Sequence, residues 1–224
     1  MFRITHPVLN LRYLGSKSLF YTICLVLPFS SCSGLSSDDK EDSEDGLIHQ
    51  EMKTKEKVQE ALDYCEANGF NSNLSILIDM SVHSGKNRLM LWDLKAESLL
   101  YSCLVSHGCG TQPWTTDASK ENPVFSNVNG SHLTSLGKYK IGERGYSMFG
   151  VHVKYLLHGL EASNSRALER AIVFHSWEVI PDSEPYPDGT PEGWGCPAVS
   201  NASFWRIDPY LRQSSKPVLM WIYQ

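Results

Sequence analysis

Two residues near the end of the chain have the types and the setting that nucleophilic catalysis needs. His175 ends an apolar run, Ala171-Ile172-Val173-Phe174-His175, and is followed by Ser176 and Trp177. A loop rich in proline and glycine separates it from Gly193-Trp194-Gly195-Cys196-Pro197-Ala198-Val199. A thiol with a pKa of about 8.5 is mostly protonated at neutral pH, and a nearby imidazole can take its proton as it attacks. Gly195 permits close approach of backbone to a substrate, and amides around Cys196 could donate to an oxyanion. Pro197 fixes the turn out of the site but has no N–H to offer.

The elements that must hold these residues follow from periodicity. Val58, Leu62 and Cys65 recur at helical spacing within Glu51 to Asn68, and Asn68-Gly69 supplies a stop. Short apolar runs at 74–79, 88–93 and 98–105, with turn residues between them, read as strands. Residues 108–131, rich in Gly, Pro, Asn and Ser, read as a long loop of the kind that carries function. Strands are expected again at 137–141, 149–158, 171–175 and 218–223, with one or two helical turns at 166–171, a loop at 181–193 and a short helix at 204–211. The fold class is α+β, mainly β, a mixed β-sheet or sandwich with a few short helices.

The N-terminus reads as an address. Arg3, Arg12 and Lys17 precede an apolar stretch from Leu19 to Phe29, and Ser30-Ser31-Cys32 follows. Basic flank, apolar run and small residues make a secretory signal. Those 11 residues would span about 16 Å as a helix, short of a hydrocarbon core of about 30 Å. Cys32 resembles the lipid acceptor of bacterial lipoproteins, with Phe29 where leucine is usual. The expected organisation is a signal over 1–31, an acidic flexible tether over 32–48 and a catalytic domain over 49–224. The protein is thus expected to be exported and lipid-anchored to the bacterial envelope, at the outer membrane, facing the periplasm or the surface.

The net charge of −5 is concentrated in six acids between Asp38 and Asp45. Such a domain has no electrostatic reason to bind nucleic acid. Cys65, Cys103, Cys109 and Cys196 remain beyond the signal and the lipid site, and an oxidising compartment would permit a pairing of Cys103 with Cys109 or Cys65. No cofactor is expected. A zinc site from His158, His175 and Cys196 lacks tight ligand spacing. His158 reads as structural, and His107, His132 and His152 as loop or core residues.

His175-Ser176, then a loop, then Gly195-Cys196 resembles the signature of L,D-transpeptidase catalytic domains of the YkuD type. The chain is more specifically similar to a divergent branch with a Gly-Cys-Pro-Ala-Val ending. Ile78-Asp79-Met80-Ser81 with Ser84-Gly85, His107-Gly108 with Phe125-Ser126-Asn127, and Gly159-Leu160-Glu161 with Asn164 and Arg170 match the same branch, so that the resemblance spans about residues 55–223. It implies a peptidoglycan L,D-transpeptidase or L,D-carboxypeptidase, with wall stem peptides as partners. Cys196 would form a thioester, His175 would move the proton, and Gly195 and Cys196 amides would hold the oxyanion. Ser176 would support the imidazole, and Arg170 and Asn127 would orient the site or a substrate carboxylate. Trp177, Trp194 and Trp205 flank the site in sequence and could line a groove for the wall polymer. Gly193 and Trp194 stand where the family commonly has Ser or Thr and often His. A papain-like peptidase would place its cysteine upstream of its histidine, the reverse of the order here. The alternative reading is a non-catalytic wall-binding lipoprotein that retains the fold.

Overall fold

The computed structural model describes residues 37–224. The expected signal, Cys24 and the lipid-acceptor Cys32 lie outside the described residues. The elements, in chain order, are helix α1 (Ser37–Asn68), strands β1 (Leu74–Asp79), β2 (Leu89–Asp93), β3 (Ser98–Cys103), β4 (Gly137–Tyr146), β5 (Val153–Gly159), β6 (Val173–Ser176) and β7 (Ala198–Val199), helix α2 (Asn201–Gln213) and strand β8 (Val218–Tyr223). All but the first turns of α1 belong to one compact unit, Glu44–Gln224. No helix among the described residues is long and apolar enough to cross a membrane.

The strands form one mixed sheet in the order β3-β2-β1-β8-β4-β5-β6-β7. The last strand of the chain therefore sits inside the sheet, parallel to β1 and antiparallel to β4. Every residue of β1 and β8 is buried, which is why both read as continuous apolar runs rather than alternating ones. One face packs Ile76, Ile78, Met220 and Ile222 against Phe204, Ile207 and Leu211 of α2. The other packs Leu77, Leu219 and Trp221 against Val58, Ala61 and Cys65 of α1. Each such aliphatic side chain contributes roughly 1.5–3 kcal/mol through burial.

Several boundaries differ from those read off the sequence. Helix α1 begins at Ser37 rather than Glu51, so residues expected as tether enter it. A sequence this acidic suits the positive end of a helix dipole. Helix α2 begins earlier than residue 204 because Ser200 caps it, its hydroxyl accepting the Ser203 N–H. Strands were expected over 137–141 and 149–158. Instead β4 continues past a register shift after Ile141 to Tyr146, and β5 starts only at Val153. The added residues 143–146 are exposed, so no apolar pattern marks them. The expected helical turns at 166–171 are turns, preceded by a short 3-10 segment, Ala162–Asn164.

The four cysteines of the domain are free thiols. Cys65 packs beneath one face of the sheet and Cys103 beneath the other, which separates one of the pairs that had been thought possible.

Candidate active site

The β5-β6-β7 end of the sheet builds the site by simple alternation. Phe174 points into the core with Tyr155 and Val199, so Val173 and His175 face the other way. They look into a cavity of about 530 Å3 together with Lys154 of β5 and with Ala198 and Cys196 beside β7. His175 is in register with Lys154 on one side and Ala198 on the other. Cys196 comes two residues before Ala198, so its thiol enters the same cavity at the level of Val173.

The His175 tautomer is fixed by geometry. Nδ1 lies 2.8 Å from the backbone oxygen of Ser176, which can only accept, so Nδ1 carries the proton and Nε2 is left with a lone pair. Burial lowers the His175 pKa below the ordinary value, and the nearby Lys154 ammonium lowers it further. The resting imidazole is thus neutral. Ser176 serves through its carbonyl. Its hydroxyl, buried, accepts the Val151 N–H at 2.9 Å and so ties down the β4–β5 turn.

The Cys196 thiol accepts the Val173 N–H at 3.4 Å and reaches the Ala171 carbonyl at 3.8 Å. Among the described residues it makes no hydrogen bond to the His175 ring. Burial raises its pKa, opposed by the Val173 amide, Arg170 and Lys154. At rest the pair is a neutral thiol beside a neutral imidazole, not an ion pair.

The peptide groups around Cys196 are held by hydroxyls. The Thr134 hydroxyl donates to the Gly195 carbonyl, and the Ser106 hydroxyl donates to the Cys196 carbonyl, both at 3.3 Å. Among the described residues, no acceptor takes the backbone N–H of Gly195 or Cys196. Carbonyls pinned and amides free are the arrangement an oxyanion requires. Gly195 has φ +96°, and a Cβ there would lie 2.5 Å from the Leu133 carbonyl oxygen, so both backbone and space demand glycine.

Arg170 lines the cavity, but its terminal nitrogens are committed. They donate to the Ser126 and Leu133 carbonyls and to the Ser131 and Ser135 hydroxyls, fastening residues 126–135 beside Gly195. Asn127 lies outside the cavity; its side chain bonds Ala162, Ser165 and Arg166. Trp194 is at the rim and 60% exposed, stacked on His132 and tilted against Trp114. Trp114 in turn stacks on the buried Trp177 at 5.0 Å. Trp205, on α2, packs edge-on to Phe204 and is not in this wall.

The loop before Cys196 rests on a buried polar network that the sequence did not disclose. Arg88 donates to Nδ1 of His107, whose Nε2–H meets Ser119, and Ser119 donates through both its hydroxyl and its amide to Glu192. Burial and the Arg88 charge push the His107 pKa down to about 3, so His107 is a neutral bridge. Backbone pairing of Gly193 with His107 and Cys109 completes the anchor. His158 meets only Glu143, outside the cavity. No group of three metal-ligating side chains occurs among the described residues.

These features define a domain in which a cysteine thiol, a tautomer-fixed histidine and unclaimed amides meet at one end of a mixed sheet. The model of the L,D-transpeptidase catalytic domain matches residues 48–223, and the chain belongs to that family. No curated protein matches it. Among solved structures it is similar to an L,D-transpeptidase from Xylanimonas cellulosilytica, at 15% identity and TM-score 0.39, over 67% of this chain and 60% of that one. The helical cell shape determining protein Pgp2 from Campylobacter jejuni is similar at 11% identity and TM-score 0.43, over 67% and 47%. Bd1075 from Bdellovibrio bacteriovorus is similar at 17% identity and TM-score 0.38, over 69% and 49%. The chain thus aligns with about half to three-fifths of each of these proteins.

Lys154, Ser106, Thr134, Trp114 and Phe149 were not foreseen as parts of the site. Only strand register and loop return bring them there, and neither is written in local sequence pattern.

Proposed function

We propose that this protein is a cysteine-dependent acyltransferase of the cell wall, an L,D-transpeptidase or L,D-carboxypeptidase. The Cys196 sulfur attacks the carbonyl of a diaminoacid–D-alanine bond in a stem tetrapeptide as Nε2 of His175 takes the thiol proton. The tetrahedral oxyanion is held by the amides of Gly195 and Cys196. His175 returns the proton to the departing nitrogen, D-alanine leaves, and a thioester remains. An amine of a second stem resolves it to a cross-link, or water resolves it to a shortened stem. The observation that carries this reading is the sharing of one cavity by Cys196 and His175, with the two unclaimed amides beside the sulfur. The thiol's present partners leave room for it, because catalytic hydrogen bonds commonly tighten only with substrate.

One observation favours the second reading, a wall-binding module without chemistry: the thiol engages Ala171 and Val173 rather than the ring. Incubation with wall tetrapeptides separates the two. D-Alanine release by the wild type and none by Cys196→Ala is the expected outcome. No release, with no covalent carbapenem adduct by intact-protein mass spectrometry, would leave the binding module. The proposal includes export and a lipid on Cys32. Mass spectrometry of the mature protein should find Cys32 first and acylated; an unmodified N-terminus would remove the anchor.

A further inference from the structure

The cavity that holds Cys196 and His175 has two cations on its wall, Lys154 and Arg170, and no carboxylate. This is unusual in a chain whose net charge is −5. The two cations differ in availability. Both terminal nitrogens of Arg170 are spent on the backbone and hydroxyls of the 126–135 segment. Lys154 forms no hydrogen bond, ion pair or aromatic contact with any described residue. The acid whose charge acts on His175 is Glu178, which is exposed and accepts the Gly150 N–H. A half-buried ammonium left without a partner in an otherwise largely apolar cavity is poised for an anion from outside.

Position says which anion. Lys154, His175 and Ala198 are register partners on three successive strands, facing the cavity, with Cys196 two residues before Ala198. Neighbouring strands are about 4.8 Å apart. The order across the sheet is therefore ammonium, imidazole, thiol. In the acylation step the thiol attacks the scissile carbonyl and the imidazole protonates the departing nitrogen. In an amino acid that leaves from a chain end, the α-carboxylate lies two bonds beyond that nitrogen, on the side away from the scissile carbonyl. That is the side of Lys154.

We propose that Lys154 is a specificity-determining residue that binds the terminal α-carboxylate of the leaving amino acid, making the site selective for stems with a free C-terminus. This rests on the acyl-transfer reading of the site. It accounts for a cation placed beyond the histidine from the thiol, where it neither gives nor takes the proton in transit. It also explains how a transferase could take a four-residue stem and pass over one that continues past the scissile residue.

The test compares a wall tetrapeptide ending in D-alanine with its C-terminal carboxamide, on the purified protein. With wild type, release of the terminal residue should be faster from the acid than from the amide, on the order of tenfold to a hundredfold in kcat/KM, the range of a charge-assisted hydrogen bond. Lys154→Met, compared on the pH plateau of each protein, should abolish the ratio between acid and amide, and Lys154→Arg should restore much of it. The same pair of peptides is titrated against Cys196→Ala with and without Lys154→Met, reading Kd. Tighter binding of the acid that Lys154→Met removes upholds the carboxylate site, even if wild type shows no turnover and the acyl-transfer reading falls. Equal treatment of acid and amide by wild type and by Cys196→Ala, or a preference that survives in Lys154→Met, overturns the proposal while leaving the chemistry of Cys196 standing.

Discussion

Cys196 and His175 start out uncharged, and this fixes how the reaction should respond to pH. A base works only with its lone pair free, and burial together with Lys154 lowers the His175 pKa. The acid limb of kcat/KM should accordingly fall below the ordinary imidazole value of about 6.5. Lys154→Met removes one of the two lowering influences, so its acid limb should move to higher pH; a wild-type limb at or above the ordinary value would contradict the assignment of His175 as base. The pairing of Cys196 with His175 in one cavity was legible in the sequence, because an apolar run ending in histidine and a glycine-cysteine-proline turn each carry their own signature. The ammonium beside them was not. Lys154 is one residue of a plain strand until β6 is laid next to it.

At the scale of elements, the turns around the cavity are shaped by backbone conformation. Ala171, His132, His152 and Thr115 all hold positive φ without being glycine, and each adjoins a residue of the cavity or lines it. Such left-handed residues persist where surroundings over-determine them, and they gather at working sites. Gly195 and Gly69 give a controlled comparison. Both have positive φ, but a Cβ at Gly69 meets nothing within 4 Å, whereas one at Gly195 runs into the Leu133 carbonyl. Gly69→Ala should cost about 1 kcal/mol in urea unfolding and leave acylation intact. Gly195→Ala should cost more than that and abolish adduct formation, because the peptide that presents the free amides must shift. Comparable activities in the two variants would refute the role given to Gly195. The loops were legible as loops from their glycine and proline content. What they touch was not, since Glu192 meets Ser119 across 73 positions of chain.

For the molecule as a whole, the buried network beneath the site makes stability depend on acidity. His107 is fully buried and neutral, with a pKa near 3 set first by burial and then by Arg88. Because its folded pKa is depressed, its contribution is complete above the unfolded value of about 6.5 and is lost as pH falls toward 3. Between pH 7 and pH 5 this one group should remove about 2 kcal/mol from the unfolding free energy. Urea midpoints at the two pH values measure it, and an unchanged midpoint would mean that the bridge is not neutral. The sequence yielded nearly every strand of the sheet, since burial writes apolar runs. It did not yield their order. Parallel pairing of β1 with β8 joins residues 144 apart, and no local pattern encodes that.

That pairing has a consequence for how the protein comes into being. Without the six residues of β8, the sheet is two separate pieces, β3-β2-β1 and β4-β5-β6-β7, each exposing the flank that β8 should fill. Residues 218–223 must be available before the halves can be zipped together, so closing the sheet is a late event governed by long-range pairing. A nascent chain halted just short of Val218 would display two sticky strand borders at once, ready substrates for a holding chaperone.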